Sequence, residues 1–328
     1  MDRQSRIHGA CLTVALLLVA ACGLARAQPA VIYELGGKFD KSFNQAAADG
    51  AERWKKRTGQ PYFEFEIANA AQREQAALRF AERGANPIVG IGFPQAASIE
   101  KVARAYPATR FAIVDAVVDL PNVQSFVYRE HEGSFLAGML AAMASKSGKV
   151  GMVGGMDIPL VRKFACGFEQ GARHANPKVE VRVAMVGTTP AAWTDPARGA
   201  ELAKAQVAQG VDVIFAAAGT SGLGAMQAAK DAGILTIGVD SNQNHLHPGS
   251  VLTSMIKRVD VAVYNCMMSA KDGTWAPGSR VLGLKEDAVG YSLDDDNKAL
   301  ITDDMRQKVE AAKAKIIAGG LQVQPYKQ

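Results

Sequence analysis

Val31-Ile32-Tyr33-Glu34-Leu35 runs directly into Gly36-Gly37-Lys38-Phe39-Asp40-Lys41-Ser42-Phe43-Asn44-Gln45, and this stretch decides the fold. The β-branched and aromatic run reads as a buried strand, and the two glycines read as a turn. Ser42 with Gln45 three residues on reads as the capping box of a helix. Phe43, Ala47, Gly50, Ala51 and Trp54 then recur at helical spacing, which places Trp54 in the core. The same alternation continues along the chain. Strands are predicted over 31–35, 62–67, 88–91, 110–114 and 124–128, and again over 149–153, 179–186, 211–216, 235–239 and 251–255. Helices are predicted over 72–83, 94–106, 159–174, 196–209 and 221–232, the fourth opened by Asp195 as N-cap and Pro196 at the first position. Such alternation builds parallel sheets with right-handed crossovers. No helix is predicted between 110–114 and 124–128, which marks a change of topology there. The expectation is two open α/β lobes, joined by crossing segments because no long linker is present.

The 328 residues suffice for two domains, and 48% hydrophobic with 21% charged residues is globular composition. The first 27 residues read as an export signal. Arg3 and Arg6 supply the positive end, residues 10–21 a short apolar stretch, and Ala25-Arg26-Ala27 a small-x-small cleavage site. Val19-Ala20-Ala21-Cys22 offers a competing reading as a lipidation site on Cys22. The formal charge of +5 shrinks further when Arg3, Arg6, Arg26 and Asp2 leave with the signal, so nothing points to nucleic acid. Beyond the signal only Cys166 and Cys266 remain, each within a helical pattern. Export permits a disulfide between them, but their setting reads as two small apolar helix residues. His245 and His247 lack further ligands at metal-binding spacing, so no metal and no cofactor is expected.

Ligands of open parallel sheets sit outside the carboxyl ends of the strands, so the residues that follow each strand matter most. They include the loop 36–44, Gly92-Phe93-Pro94-Gln95, Asp115, Gly155-Met156-Asp157, the stretch 188–195 with Trp193, Gly219-Thr220-Ser221-Gly222, and Asp240-Ser241-Asn242. Aromatics, carboxylates and hydroxyls recur at the same edge in both series. Two such edges would line a cleft suited to a neutral polar ring system. Each residue also has a purely structural reading. The glycines fit ordinary turns, Phe43 fits the packing face of its helix, and Asp115 and Asp240 fit turn positions. Trp193, two residues before an N-cap, either packs on a lobe surface or meets a ligand. Enzyme motifs are broken: Ser147-Gly148-Lys149-Val150 lacks the rest of a phosphate loop, and residues 219–224 fit neither G-x-G-x-x-G nor a nucleophile elbow.

Asp40-Lys41-Ser42-Phe43-Asn44 and Glu130-His131-Glu132-Gly133-Ser134-Phe135-Leu136-Ala137-Gly138 together resemble the basic membrane protein family of ABC-transporter substrate-binding proteins, the PnrA-like purine nucleoside receptors. The likeness continues through residues 150–155, 219–222, 238–241 and 254–257. It implies a type I periplasmic-binding-protein fold, with two Rossmann-like lobes around a ligand cleft and three crossing strands. The implied lobes are 28–128 with a return near 258–285, and 129–257 with 286–328. The resemblance further implies that Phe43 stacks on a purine, that Asn44 and Asp115 read its edge, and that Trp193 supplies the opposing aromatic. Asp40 belongs to the same motif. Gly219 and Asp240 match ribose-contacting positions, and Lys257 a basic residue near the sugar. The Glu130–Gly138 stretch reads as structural, opening a small-residue helix at the lobe crossing. The expected protein is a non-enzymatic, monomeric, periplasmic receptor that hands a purine nucleoside or nucleobase to an inner-membrane ABC permease. An envelope sensory receptor and a nucleoside hydrolase are the alternatives.

Overall fold

The computed structural model describes residues 27–327. The expected lipidation site Cys22 and all of the expected signal before Ala27 lie outside the described residues. In chain order the first lobe takes β1 (Ala30–Tyr33), α1 (Phe43–Thr58), β2 (Phe63–Glu66), α2 (Gln72–Glu82), β3 (Ile88–Ile91), α3 (Ala96–Ala105), β4 (Phe111–Val114) and β5 (Val123–Tyr128). The chain then crosses into α4 (Glu130–Ala144), β6 (Lys149–Met156), α5 (Pro159–Ala175), β7 (Glu180–Gly187) and α6 (Pro196–Ala208). The second lobe continues with β8 (Val213–Ala217), α7 (Thr220–Asp231), β9 (Leu235–Asp240) and β10 (Val251–Lys257). A return brings α8 (Val259–Asp272) and β11 (Gly278–Leu282), and a last crossing brings β12 (Val289–Tyr291) and α9 (Asp303–Ile317).

Two six-stranded sheets result, in the orders β11-β5-β4-β3-β1-β2 and β12-β10-β9-β8-β6-β7. Every pairing is parallel except β10 with β12. Strand order therefore reverses beside β1 and again beside β6, the topological points where open sheets leave a crevice. All ten expected strands form. The expectation missed β11 and β12, because Gly278-Ser279-Arg280-Val281-Leu282 is an exposed edge without apolar alternation and Val289-Gly290-Tyr291 is too short to show any. Both are defined by long-range pairing, which leaves no local signal.

The three crossings are tied to one another. The Arg129 N–H donates to Leu282 O, and the Arg258 N–H donates to Ala288 O, each at 2.8 Å. Residues 115–122 join β4 to β5 without a helix, as the sequence suggested. Beyond the first crossing, α4 is buried on nearly every side. Its small residues permit this: a Cβ on Gly138 would overlap the Phe168 carbonyl, and one on Gly171 of α5 would overlap the Phe135 carbonyl. The two helix backbones thus touch. Gly50 plays the same part where α1 meets the Asp260 carbonyl on α8. Trp54 is 1% exposed and belongs to the core, as expected. Among the described residues Cys166 and Cys266 are both free, Cys266 buried and Cys166 only half-buried. Among the described residues no helix is long and apolar enough to cross a membrane. Gly138→Leu is expected to destabilise the protein by at least about 2 kcal/mol, since backbone rather than a side-chain tip must yield. Urea denaturation checks this, and an unchanged midpoint would show that α4 and α5 can separate freely.

Candidate binding cleft

The cleft lies at the carboxyl ends of the strands of both sheets and holds about 750 Å³ of empty space, counted out to its open mouth. It is lined by all eight residues singled out in the sequence: Asp40, Phe43, Asn44, Asp115, Trp193, Gly219, Asp240 and Lys257. The loop 36–44 forms one wall, and one expectation about it is corrected. Ser42 holds the N-cap position of α1 but its hydroxyl makes no cap bond. Asp40 caps instead, accepting the N–H groups of Ser42 at 2.8 Å, Asn44 at 3.0 Å and Gln45 at 3.0 Å. A carboxylate reaches these donors better than a hydroxyl and also meets the positive end of the helix dipole. Burial raises the Asp40 carboxyl above its ordinary range, against the pull of the three N–H groups.

Released from capping, the Ser42 hydroxyl reaches across to the second lobe and donates to Asp240 Oδ2 at 2.6 Å. Two further bonds run the other way: Ser241 Oγ donates to Ser42 O at 2.7 Å, and Gln243 Nε2 donates to Lys41 O at 2.9 Å. The loop after β9 is therefore stitched to the loop before α1. Asn44 turns its amide back on its own lobe, donating to Glu34 O at 3.0 Å and accepting from Glu34 N at 3.1 Å. It holds the end of β1 in place, and one amide hydrogen remains for another partner.

Lys257, 2% exposed at the end of β10, is the electrostatic centre of the cleft. Its Nζ lies 2.7 Å from the Asp115 carboxylate and 3.2 Å from Glu130 Oε1. It also sits 5.2 Å from the Phe43 ring centre, 4.9 Å from Tyr128 and 5.7 Å from Phe164, within reach of each π-face. Burial alone would depress the ammonium, but Asp115, Glu130 and Asp240 together hold it above its ordinary value. Asp115 follows β4 and Asp240 ends β9, both with left-handed backbones, φ 67° and 64°. Such backbones are uncommon in non-glycine residues, and here the same conformation recurs at equivalent strand ends of the two sheets. Burial pushes both carboxyls up, Asp240 to about 6, against the pull of Lys257.

The opposite wall carries Trp193. Gly155 leaves room for its indole, since any Cβ there would strike the ring. Ser221 Oγ fixes the surrounding turn by accepting from Asp195 N at 2.7 Å and donating to Ala192 O at 2.8 Å. Asp195 in turn caps α6 through Arg198 N at 2.9 Å, as the sequence indicated. Gly219, with φ 55°, precedes α7, and next to it the Thr220 hydroxyl is buried without a partner at the cleft wall.

Several cleft residues escaped the sequence reading. Phe93 and Phe164 add apolar surface, and Glu34 lines the cleft while bound by Arg73, with Nε 3.0 Å from Oε2. Phe93 stood in a post-strand loop already noted, and Phe164 lies in the first turns of a helix that begins just after β6. Glu130 was read as purely structural, yet it is fully buried and touches Lys257, with Lys163 3.4 Å away on its other oxygen.

The profile of a family described as "ABC transporter substrate-binding protein PnrA-like" matches residues 30–326. The chain belongs to the PnrA-like family of ABC-transporter substrate-binding proteins. It is 33% identical over 319 residues to a CD4+ T-cell-stimulating antigen of Listeria monocytogenes, covering 90% of this chain and 87% of that one. It is 31% identical over 320 residues to an ABC transporter nucleoside-binding protein of Lactococcus lactis, covering 90% and 88%. The crystal structure of an ABC transporter solute-binding protein from Aeropyrum pernix K1 superposes with a TM-score of 0.84 at 28% identity, over 92% of this chain and 94% of that one. The fold is thus the type I periplasmic-binding fold, and the PnrA-like protein is a solute receptor, not an enzyme.

The raised Asp240 carboxyl gives a pH test of this site. The folded protein keeps that proton where the unfolded chain has already released it. The associated stability is present below 3.8, the ordinary value, and is lost as pH rises through about 6. Chemical denaturation of wild type and Asp240→Asn between about pH 4 and 7 should therefore show wild type losing stability relative to the variant. Parallel profiles would contradict the assignment.

Proposed function

We propose that this receptor takes a purine nucleoside or purine nucleobase and delivers it to the permease of an ABC uptake system. The observation that carries the reading is one cleft that combines aromatic side chains from both lobes with a carboxylate-ringed lysine. Phe43 and Trp193 offer π-faces to a flat base. Asp115, Asp240 and the spare Asn44 hydrogen accept from or donate to ring N–H groups and sugar hydroxyls. Gly219 brings backbone close to the sugar, and Lys257 supplies the cation beside it. The name of the Lactococcus lactis relative, a nucleoside-binding protein, supports the same chemistry.

The lobes act as a clamp, bounded at 28–128 with 258–285 and at 129–257 with 286–328. A ligand that touches both lobes favours the closed form through its differential contacts with it. The protein works as a monomer in the periplasm, released after Ala27 or held by lipid on Cys22. A thermal-shift panel of purines, pyrimidines and sugars is expected to single out purines. If no purine raised the melting temperature at excess ligand, the ligand assignment would fall while the fold would stand. Trp193→Ala is expected to weaken purine binding by more than about tenfold, as loss of a stacking face does. Unchanged affinity would place the indole in packing alone.

A further inference from the structure

We propose that the far end of the first lobe holds a second binding site, for a small oxyanion. This pocket opens at the amino-terminal ends of β1, β3 and β4, on the side of the sheet away from the cleft, and holds about 510 Å³ counted out to its mouth. Its polar lining is Trp54, Gln60, Asn86, Arg110 and Lys271, with Ala27 at the edge and no carboxylate. Trp54 is 1% exposed, yet its indole N–H has no partner. An indole can only donate, so the group it awaits is an acceptor.

The neighbours ask for the same thing. One guanidinium N–H of Arg110 donates to Ala270 O at 3.2 Å and the group lies 5.8 Å from the Trp275 ring centre, while among the described residues no carboxylate pairs with it. Most of its five donors thus remain for a partner. Asn86 spends its oxygen on the Arg110 N–H at 3.1 Å, which leaves its NH₂ group as the available end. Lys271, held 3.0 Å from Asp272 at the surface, adds positive charge at the rim. The Arg110 guanidinium and the Asn86 amide line this space beside the buried indole N–H, and among the described residues no carboxylate lines it. That donor set matches a tetrahedral oxyanion, and a cation or an apolar solute would leave every donor unpaired. The bound anion would tie α1, which carries the cleft loop, to α8, which follows the crossing at Arg258.

The shared chemistry is phosphate or sulfate, free in solution or as a lipid headgroup, and the experiment separates the two. The mature protein carrying Trp193→Phe, to silence the cleft indole, is titrated with inorganic phosphate and with sulfate at constant ionic strength. Tryptophan fluorescence and melting temperature are read against a chloride control. A saturable change is expected, weakened about tenfold in Arg110→Gln, as for one lost charge-assisted hydrogen bond. Lys271→Gln, a surface change that leaves the fold intact, is expected to weaken it less. In a parallel arm, flotation with phosphatidylglycerol vesicles that is lost in Arg110→Gln identifies the headgroup as a source. Binding of free phosphate without flotation identifies the soluble ion. No saturable response to phosphate, sulfate or vesicles beyond chloride would overturn the proposal and leave Trp54 to a water. A response equal in wild type and both variants would overturn it as well.

Discussion

Lys257 carries a positive charge into a place almost closed to water, and much of the molecule is arranged to keep it there. Asp115 comes to it from the first lobe, while Glu130 and Lys257 itself each stand one residue from a crossing of the chain, at Arg129 and Arg258. The ion cluster is thus fixed to the hinge as well as to the cleft. Buried ion networks are poor sources of stability, since desolvation offsets their attraction and apolar replacements are often neutral. A cluster of this kind at the meeting of two lobes is better understood through what it presents to a solute.

The helix ends around the cleft show the same bias. Asp40 occupies the positive end of α1 and Asp195 that of α6, so two amino termini that would otherwise attract an anion are already satisfied. With Glu34, Asp40, Asp115 and Asp240 lining it beside Lys257, the cleft offers acceptors in excess of cations. On the proposed function, such a cleft suits neutral ligands rich in N–H and O–H groups better than phosphorylated ones. Aromatic rings then supply the flat surfaces, and direct bonds between Ser42 and the loop after β9 bring the lobes into contact.

Legibility in the sequence followed the range of the interactions involved. Ten strands were evident because β-branched runs and helical patterns are local, and Trp54 was placed in the core by spacing alone. The edge strands β11 and β12 were hidden because pairing across the molecule creates them. In the cleft, the rule that ligands meet strand ends located Asp40, Phe43, Asn44, Asp115, Trp193, Gly219 and Asp240, and the family resemblance added Lys257. The same rule could not assign individual bonds. Ser42 resembled a cap by spacing, but a carboxylate two residues earlier outcompeted it, and the hydroxyl went to the other lobe. Glu130 was invisible as a partner of the cleft lysine because the two lie more than a hundred residues apart in the chain.

The most direct test is a crystal structure of the mature protein with a purine nucleoside. The expected result is the base against Phe43 and Trp193, with the sugar beside Asp240 and Lys257. A nucleoside bound outside this cleft, or one in the cleft that leaves the Lys257 cluster untouched, would contradict it.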